Sequence, residues 1–352
     1  MNMLRTLSVV LGILLIFGCA DVSKESQLQT GCSGDSESTP ENVYVPPAPT
    51  PTPTVASWTG VKQLMTSSAE QGQNITSDSS GNVYVTGYTN GGLDGNTNAG
   101  SSDLFVVKYN SSGVKQWTKQ LGSSAGDYGY SIASDSSGNV YVTGSTGGGL
   151  DGNTLVGGED IFLIKYDNAG NKQWTKQLGT AANDVAQDIH ITFDDSIYIT
   201  GYTEGGLDGN TNLGGKDIFV VRYDSDGNKR WTQQFGTSSD DEADGITSPQ
   251  GYWIYVTGST NGSLDGSNAG GRDIFVAKLD NRLAGGSSLQ WTRQLGTSSN
   301  DLGNDITSDS SGNVYVTGYT EEGLDGNTSA GGWDFFVVKY NSSGVNQWTK
   351  QL

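Results

Sequence analysis

The sequence predicts an all-β fold built from repeated four-stranded antiparallel sheets, and three observations support this. A Leu-Asp-Gly motif recurs at intervals of 57, 57, 57 and 60 residues, a period typical of a structural array or a propeller. Each unit contains four short runs rich in β-branched and aromatic residues, bounded by Gly, Asn, Asp or Ser. No stretch of the repeated region has helical periodicity.

The second unit shows the predicted strands in order, at 129–134, 139–145, 160–166 and 172–178. The connections DSSGN and DNAGN place a Gly where a tight hairpin needs positive φ. The third strand, DIFLIKY, is apolar on both faces, which indicates that each sheet is covered on both sides. Such sheets packed face to face in a ring are the blades of a β-propeller.

The number of blades follows from counting the strand motifs. The first three motifs occur five times, but the fourth, a Trp-Thr strand, occurs six times because SWTGVKQL opens the repeat domain at Trp58. We therefore favour a closed five-bladed ring over residues 58–352, in which one end strand is a clasp. An open arc and a truncated larger propeller remain alternatives.

These motifs resemble a known family. Five copies of a DSSGNVYVTGYT-like segment, each followed by DIFVVKY and QWTKQLG, are similar to the bacterial β-propeller repeat called SBBP. The order of elements is also similar to that of the NHL repeat. The resemblance covers residues 58–352 and implies a propeller fold. It implies no activity, because the family has no shared catalytic residues.

The N-terminal residues predict export and lipidation. Residues 1–18 combine one basic residue with the apolar run LSVVLGILLIFG, as in a signal peptide. IFGC resembles the lipobox of bacterial lipoproteins, which implies that Cys19 becomes the acylated N-terminus. The only other cysteine, Cys32, has no partner in the mature chain for a disulfide. Residues 19–57, rich in Ser, Thr and Pro, predict an extended tether. The expected location is the cell envelope, with the protein anchored by lipid to the outer membrane or cell surface.

The charge of the chain limits its partners. The formal net charge is −19, and basic residues do not cluster, so we expect no nucleic-acid binding and membrane contact only through the N-terminal lipid. The partner is left as an unknown protein or glycan.

Three acidic columns are predicted at one face of the sheets, because antiparallel strands bring the LDG loops and the interblade links to the same edge. The first column is the LDG aspartates, the second opens each third strand, and the third precedes each first strand (Glu70, Asp127, Asp184, Asp241 and Asp301). Asp-Gly turn chemistry and N–H capping are the favoured explanation. Calcium binding is the alternative, since such loops offer carboxylate, amide and carbonyl oxygens. We assign no metal or other cofactor. The candidate calcium ligands would be Asp94, Asp103, Asp151, Asp160, Asp208, Asp217, Asp265, Asp273, Asp325 and Asp334.

Catalytic residues are not evident. His190 is the only histidine and lies in a strand position, so a catalytic triad or a His-ligated zinc site is disfavoured. YDSDGNKRW resembles the sialidase Asp-box only superficially, and the recurrent Trp residues are expected to pack between blades. We predict no catalytic residue and a noncatalytic binding or scaffold module. A carbohydrate-active or other hydrolytic propeller enzyme, or a calcium-dependent adhesin-like binder, is the alternative.

Overall fold

The computed structural model describes residues 60–249, 251–282 and 286–352. The predicted signal peptide, Cys19, the tether and Trp58 lie outside the described residues.

The described residues form five four-stranded sheets, which we number as blades 1 to 5. Blade 1 contains β1 (Glu70–Ser77), β2 (Val83–Thr89), β3 (Asp103–Tyr109) and β4 (Lys115–Leu121); blade 2 contains β5 (Asp127–Ser134), β6 (Val140–Thr146), β7 (Asp160–Tyr166) and β8 (Lys172–Leu178); blade 3 contains β9 (Asp184–Ile191), β10 (Ile197–Thr203), β11 (Asp217–Tyr223) and β12 (Lys229–Phe235); blade 4 contains β13 (Asp241–Thr247), β14 (Trp253–Thr260), β15 (Asp273–Asp280) and β16 (Ser288–Leu295); blade 5 contains β17 (Asp301–Ser308), β18 (Val314–Thr320), β19 (Asp334–Tyr340) and β20 (Asn346–Gln351).

Each strand pairs antiparallel with its neighbour in the chain, so every blade is a simple meander. The hairpins form as their sequence predicts. Asp78 Oδ1 accepts hydrogen bonds from Ser80 N and Asn82 N, both at 2.9 Å, and Gly81 has a φ of 75°. The Asp thus satisfies the turn's backbone donors while the Gly supplies the left-handed conformation.

The hydrophobic core lies between successive blades. Between blades 1 and 2, Tyr84 and Val106 pack with Val142 and Phe162, and all four side chains are buried. The first strands of neighbouring blades contact one another, β1 with β5, β5 with β9, β9 with β13 and β13 with β17. The all-β propeller fold of four-stranded antiparallel blades is confirmed, whereas closure of the ring stays a prediction.

The N-terminal copy of the fourth-strand motif differs from the other copies. Residues 60–69 form no strand, and β20 holds the fourth-strand position of blade 5. Leu64 packs instead against Phe105, Val107 and Tyr109 of blade 1. Among the described residues, no helix has the length and apolar character needed to cross a bilayer.

Candidate functional site

One edge of every sheet carries all three acidic columns. In blade 1, Thr89 at the end of β2 pairs with both Glu70 of β1 and Asp103 of β3, and the loop containing Asp94 connects β2 to β3. The hairpins lie at the opposite edge. The structure therefore brings the three columns to a common edge, but it gives them different environments.

The LDG loops fold back onto the fourth strand of their own blade. Leu93–Gly95 is a single 3₁₀ turn in which Leu93 is buried and Asp94 has a φ of 51°. The Asp94 carboxylate accepts hydrogen bonds from Lys115 Nζ and Thr118 Oγ1 of β4. Blades 2, 3 and 5 repeat this arrangement at Asp151, Asp208 and Asp325, with Asn346 in place of the lysine in blade 5.

The loop of blade 4 is shorter by one residue and departs from this pattern. Asp265 accepts a hydrogen bond from the backbone N of Gln294 at 2.9 Å, and no 3₁₀ turn forms. In all five blades the LDG aspartate turns the chain and attaches the loop to the fourth strand.

The aspartates that open the third strands are buried. Asp103 Oδ2 accepts hydrogen bonds from Ala99 N and Gln120 Nε2, both at 2.9 Å. The same pair of contacts is made by Asp160, Asp217, Asp273 and Asp334. The members of this column are at most 5 % exposed. Their contacts are those of residues that close a loop and cap its N–H groups.

The interblade aspartates lie against the third-strand column of the preceding blade. Asp127 Oδ2 accepts a hydrogen bond from Ser123 N at 2.6 Å, and Thr146 Oγ1 donates to its other oxygen. Burial raises the pKa of the Asp127 carboxyl, and the charge of Asp103 adds to the rise. Burial and a neighbouring carboxylate act the same way on Asp184 beside Asp160, Asp241 beside Asp217, and Asp273 beside Asp301.

A glycine leaves room for the carboxyl pair of Asp217 and Asp241. A Cβ added to Gly236 would lie 2.5 Å from Asp217 Oδ1 and 2.9 Å from Asp241 Oδ2, so both oxygens face the same small space. Asp217 Oδ1 has no hydrogen-bond partner among the described residues, as is also true of the same atom in Asp103, Asp160 and Asp273. The pairs are packed into the blade interfaces and not displayed to solvent.

The calcium candidates are therefore split into two sets. The LDG aspartates bind a lysine or asparagine and a threonine at the surface in four blades, while the third-strand aspartates are buried beneath them. In the part of the chain that the structure describes, no group of three or more His, Cys, Asp or Glu side chains is placed to hold a metal ion.

His190 and the recurrent Trp residues belong to the blade packing. The His190 ring lies 3.2 Å from the Ser248 carbonyl oxygen, and burial lowers its pKa. Trp117 lies between Tyr84 of its own blade and Tyr166 of the next, with ring centroids 6.0 and 6.3 Å apart. These aromatic residues pack between blades, as the sequence indicates.

Some of the positions at which the repeats differ lie at the same edge as the acidic columns. Three positions vary in chemistry: the residue after the interblade acid, the penultimate residue of the second strand, and the residue before the third-strand aspartate. In blades 1 to 5, the first position is occupied by Gln71, Tyr128, Val185, Glu242 and Leu302. The second is occupied by Tyr88, Ser145, Tyr202, Ser259 and Tyr319. The third is occupied by Ser102, Glu159, Lys216, Arg272 and Trp333.

Seven half-buried side chains from these positions and their neighbours form two contacting groups, one on blades 1 and 2 and one on blades 3 and 4, which together we call the variable cluster: Tyr88, Tyr128, Tyr130, Tyr202, Lys216, Glu242 and Arg272.

Its members contact one another within each of the two groups. Tyr88 meets Tyr128 edge to face at 5.0 Å, and Tyr128 stacks on Tyr130 at 6.0 Å. Lys216 Nζ lies 3.9 Å from the centre of the Tyr202 ring and 2.6 Å from Glu242 Oε1. The other Glu242 oxygen lies 2.7 Å from an Arg272 nitrogen.

The charged groups of the variable cluster stabilise one another in their ionised forms at neutral pH. Burial would raise the pKa of Glu242, but Arg272 and Lys216 together hold it below its ordinary value. Burial also raises the pKa of Tyr130 to about 12, so this phenol stays neutral and able to donate a hydrogen bond. The cluster thus presents aromatic faces at one end and a Lys–Glu–Arg network at the other.

Motifs shared by the repeats do not indicate this cluster, because most of its residues lie at positions where the repeats differ. In a repeat protein, shared residues maintain the blade, while differences between blades make the surface asymmetric. A comparison of the units position by position would have shown the three variable columns, but their continuity depends on contacts between blades.

The fold, together with the edge that carries the acidic columns, defines a repeat protein of the β-propeller class. Residues 61–94, 116–151, 230–265 and 290–325 match the model of the SBBP family, described as a β-propeller repeat. The chain therefore carries SBBP-type repeats, as the sequence resemblance implies.

Two curated proteins match about half of the chain in sequence. The chain is 26 % identical over 204 residues to regulatory protein FlaEY of Caulobacter vibrioides, across 53 % of this chain and 21 % of that protein. It is 27 % identical over 232 residues to the uncharacterized WD repeat-containing protein L264 of Acanthamoeba polyphaga mimivirus, across 52 % of this chain and 16 % of the relative. The chain thus spans about a fifth or less of the length of these relatives.

Among solved structures, a gluconolactonase from Xanthomonas campestris, XC5397, is similar with a TM-score of 0.38 and 14 % identity, covering 69 % of this chain and 70 % of that one. At this level the likeness assigns no activity.

Proposed function

We propose that this chain is a noncatalytic β-propeller binding module, carried at the cell envelope by a lipid on Cys19. The observation that supports a binding role is the variable cluster, where residues that differ between blades contact one another at the same edge of the sheets. The shared aspartates and His190 are engaged in loop closure and blade packing, which leaves them no reactive arrangement. A binding module needs an asymmetric contact surface but does not need reactive side chains.

The chemistry of the cluster fits a glycan or a protein surface that offers both apolar and polar groups. Tyrosine rings stack on sugar or aliphatic faces and offer a hydroxyl for hydrogen bonding. Lys216, Glu242 and Arg272 provide donors and acceptors for hydroxyl, amide or carboxylate groups. The half-buried state of the side chains means that they are already ordered before a ligand binds.

The binding role is tested with defined envelope glycans, using soluble peptidoglycan fragments and acidic polysaccharides in titration calorimetry. We expect at least one of them to bind, and Tyr202→Ala to weaken its binding about tenfold or more. Tyr252→Ala is the matched control, because Tyr252 is 53 % exposed beside the hairpin edge of blade 4. Equal losses in both variants, or no binding of any glycan, would contradict the proposed glycan-binding site.

The same samples test the enzyme and adhesin alternatives. Release of shortened or unsaturated sugars during incubation would replace the noncatalytic proposal with a hydrolase or lyase. Binding that requires calcium and is abolished by a chelator would favour the adhesin-like alternative.

The lipid anchor is tested separately by metabolic labelling with a fatty acid. Wild type should incorporate the label and partition into detergent, whereas Cys19→Ala should do neither. Cys32→Ala is the matched control and should keep the label. An unlabelled wild type would show that the chain is not a lipoprotein.

A further inference from the structure

The interface between blades 1 and 2 brings a lysine amine into contact with an asparagine carboxamide. Lys108 of β3 reaches the hairpin between β7 and β8, where its Nζ donates hydrogen bonds to the side-chain oxygen and to the backbone carbonyl of Asn168, the latter at 3.0 Å. Trp117 Nε1 donates to the same backbone carbonyl at 3.2 Å. Two donors of blade 1 therefore hold Asn168 in place, with its carboxamide against the amine.

A tyrosine and an aspartate lie beside this pair. Tyr84 Oη lies 3.5 Å from Asn168 Oδ1 and donates a hydrogen bond to Asp78 Oδ2 at 2.9 Å. Lys108 Nζ lies 5.2 Å from the centre of the Tyr84 ring. The side chains of Asp78, Tyr84 and Lys108 are buried, whereas Asn168 is exposed to solvent. An amine, a carbonyl group, a hydroxyl beside the carbonyl oxygen and a carboxylate behind the hydroxyl thus lie together.

The protonation states of these groups suit attack of the amine on the carbonyl carbon. Burial lowers the pKa of Lys108, although the charge of Asp78 opposes the change. A lower pKa increases the share of the neutral amine, which is the nucleophilic form. Burial and Asp78 both raise the pKa of Tyr84. The Tyr84 phenol therefore keeps its proton and can donate a hydrogen bond to negative charge that develops on Asn168 Oδ1.

The other blade interfaces lack this combination of side chains. In blades 1 to 4 the position of Lys108 is held by Lys108, Lys165, Arg222 and Lys278, which face Asn168, Ser225, Asn281 and Ser342 of the next blade. A serine side chain has no carbonyl group, and a guanidinium is not a nucleophile at neutral pH. Among the described residues, only the interface of blades 1 and 2 pairs an amine with a carboxamide at this position.

We propose that Lys108 and Asn168 form a covalent amide bond that joins blades 1 and 2. The Lys108 nitrogen attacks Asn168 Cγ and a new C–N bond forms, while the Tyr84 hydroxyl stabilises the charge on Oδ1. A proton passes from the attacking nitrogen to the amide nitrogen of Asn168. The original C–N bond then breaks, the carbonyl is restored, and ammonia leaves on the exposed side of Asn168. One ammonia is released for each bond, and no oxidant, reductant or cofactor is consumed.

The fold supplies the conditions for this reaction. Holding two reacting groups in contact replaces an encounter in solution with a step inside one molecule, which accelerates it strongly. Tyr84 contacts the reacting carbonyl and is the catalytic residue, whereas Asp78 positions the Tyr84 hydroxyl. The proposal goes beyond the binding function and does not rest on it, because these residues lie toward the hairpin edge and the variable cluster lies at the opposite edge.

The bond is tested by peptide mapping of the purified full chain with trypsin and tandem mass spectrometry. We expect one branched peptide that contains both Lys108 and Asn168 and is lighter than its two parts by one ammonia, about 17 Da. Lys108→Arg and Asn168→Ser should both lack it. Each substitution is matched to the fold, because Arg222 and Ser225 hold the equivalent positions in blade 3.

The role of Tyr84 is tested with Tyr84→Phe, which keeps the ring and removes the hydroxyl. Most of this variant should stay unlinked, because loss of one hydrogen-bond donor to a developing oxyanion slows such a step by about 100-fold or more. Circular dichroism checks that the variant folds. Loss of packing alone would not change the linked fraction of a chain that is folded.

Ser225→Asn tests whether the arrangement is sufficient for the reaction. The interface of blades 2 and 3 repeats the other three groups: Tyr141 Oη donates to Asp135 Oδ2 at 3.0 Å, and Lys165 Nζ lies 5.1 Å from the centre of the Tyr141 ring. We expect this variant to contain a second branched peptide, which joins Lys165 to the new asparagine.

Four outcomes would count against the proposal. Recovery of Lys108 and Asn168 only in separate peptides of the wild type would leave a hydrogen bond and no covalent bond. A loss of ammonia that persists in Lys108→Arg would belong to another site, such as a succinimide at Asn90–Gly91. A fully linked Tyr84→Phe would exclude Tyr84 from the reaction. Absence of a second branched peptide in Ser225→Asn would show that these four groups are not sufficient.

Discussion

Asp188 in the first strand of blade 3 lies within electrostatic range of Asp305 in the first strand of blade 5. Asp188 accepts hydrogen bonds from Ser131 Oγ of blade 2 at 2.7 Å and from Ile246 N of blade 4 at 2.9 Å. Burial raises its pKa to about 7, and the charge of Asp305 adds to the rise. Burial also raises the pKa of Asp305. Two carboxylates near each other without a cation partner cost stability whenever both are ionised.

Asp305→Asn is therefore expected to stabilise the protein at pH 8. A carboxyl whose pKa is raised on folding disfavours the folded state fully above its folded pKa, and this cost disappears as the pH falls toward the unfolded value of 3.8. The gain in unfolding free energy should be larger at pH 8 than at pH 5. Urea unfolding at the two pH values measures it.

Asp226→Asn is the control for this prediction, because Asp226 lies in the exposed hairpin between β11 and β12. It should change stability little and equally at both pH values. A gain for Asp305→Asn that is larger at pH 5 than at pH 8 would show that the sign of the electrostatic effect is wrong.

Gly236 lies at the space shared by Asp217 and Asp241, and we expect Gly236→Ala to destabilise the fold. The added Cβ would lie 2.5 Å from Asp217 Oδ1, closer than van der Waals contact allows. Overpacking of this kind costs about 1–3 kcal/mol. Thermal or urea unfolding provides the measurement. Gly286→Ala is the control, since nothing lies within 4 Å of its added Cβ, and a similar loss in both variants would exclude a specific role for the space.

At the scale of single elements, local sequence predicts nearly everything about a blade. The strands predicted for the second unit begin or end within two residues of β5, β6, β7 and β8. Alternating β-branched residues and Gly-containing turns act over a few residues, so their effect can be read without knowing the fold. The burial of Asp103 and Asp127 could not be predicted this way, because the second residue belongs to the next blade and their proximity depends on packing.

The LDG loop is an element whose chemistry can be tested directly. We expect replacement of Asp94, Asp151, Asp208, Asp265 and Asp325 by Asn to cost less than about 1 kcal/mol per site, because Asn tolerates positive φ and the lost ion pairs are partly exposed. CaCl₂ and NaCl at equal ionic strength should then stabilise wild type and variant alike, by screening. Melting temperatures are measured in both salts.

Calcium binding by these loops would have a different signature. The melting temperature of wild type would rise with the logarithm of free Ca²⁺ at submillimolar concentrations, where NaCl has no effect. Loss of that rise in the five-fold Asn variant would make the loops a metal site and contradict the turn explanation.

For the whole molecule, the repeat period predicts the number and order of blades but not the state of the two ends. Every internal interface is specified by neighbouring units, so the contact of Trp117 with Tyr84 of its own blade recurs at Trp174, Trp231 and Trp291. The state of the end faces depends on whether the N-terminal or the C-terminal copy of the fourth-strand motif covers blade 1. That choice is made by competition between residues far apart in the chain, and repetition alone does not decide it.

The structure assigns the covering role to the N-terminal motif, which leads to a prediction for the two ends. Leu64 packs on the cluster that contains Phe105 and Tyr109, whereas Leu352 is 82 % exposed. Leu64→Ala should lower the unfolding free energy by about 1–2 kcal/mol through lost apolar burial. Leu352→Ala should change it by less than about 0.5 kcal/mol. Urea unfolding at low protein concentration compares them. If Leu352→Ala costs more than Leu64→Ala, the C-terminal strand covers blade 1 within the same chain, and the ring is closed by β20 in place of the N-terminal segment.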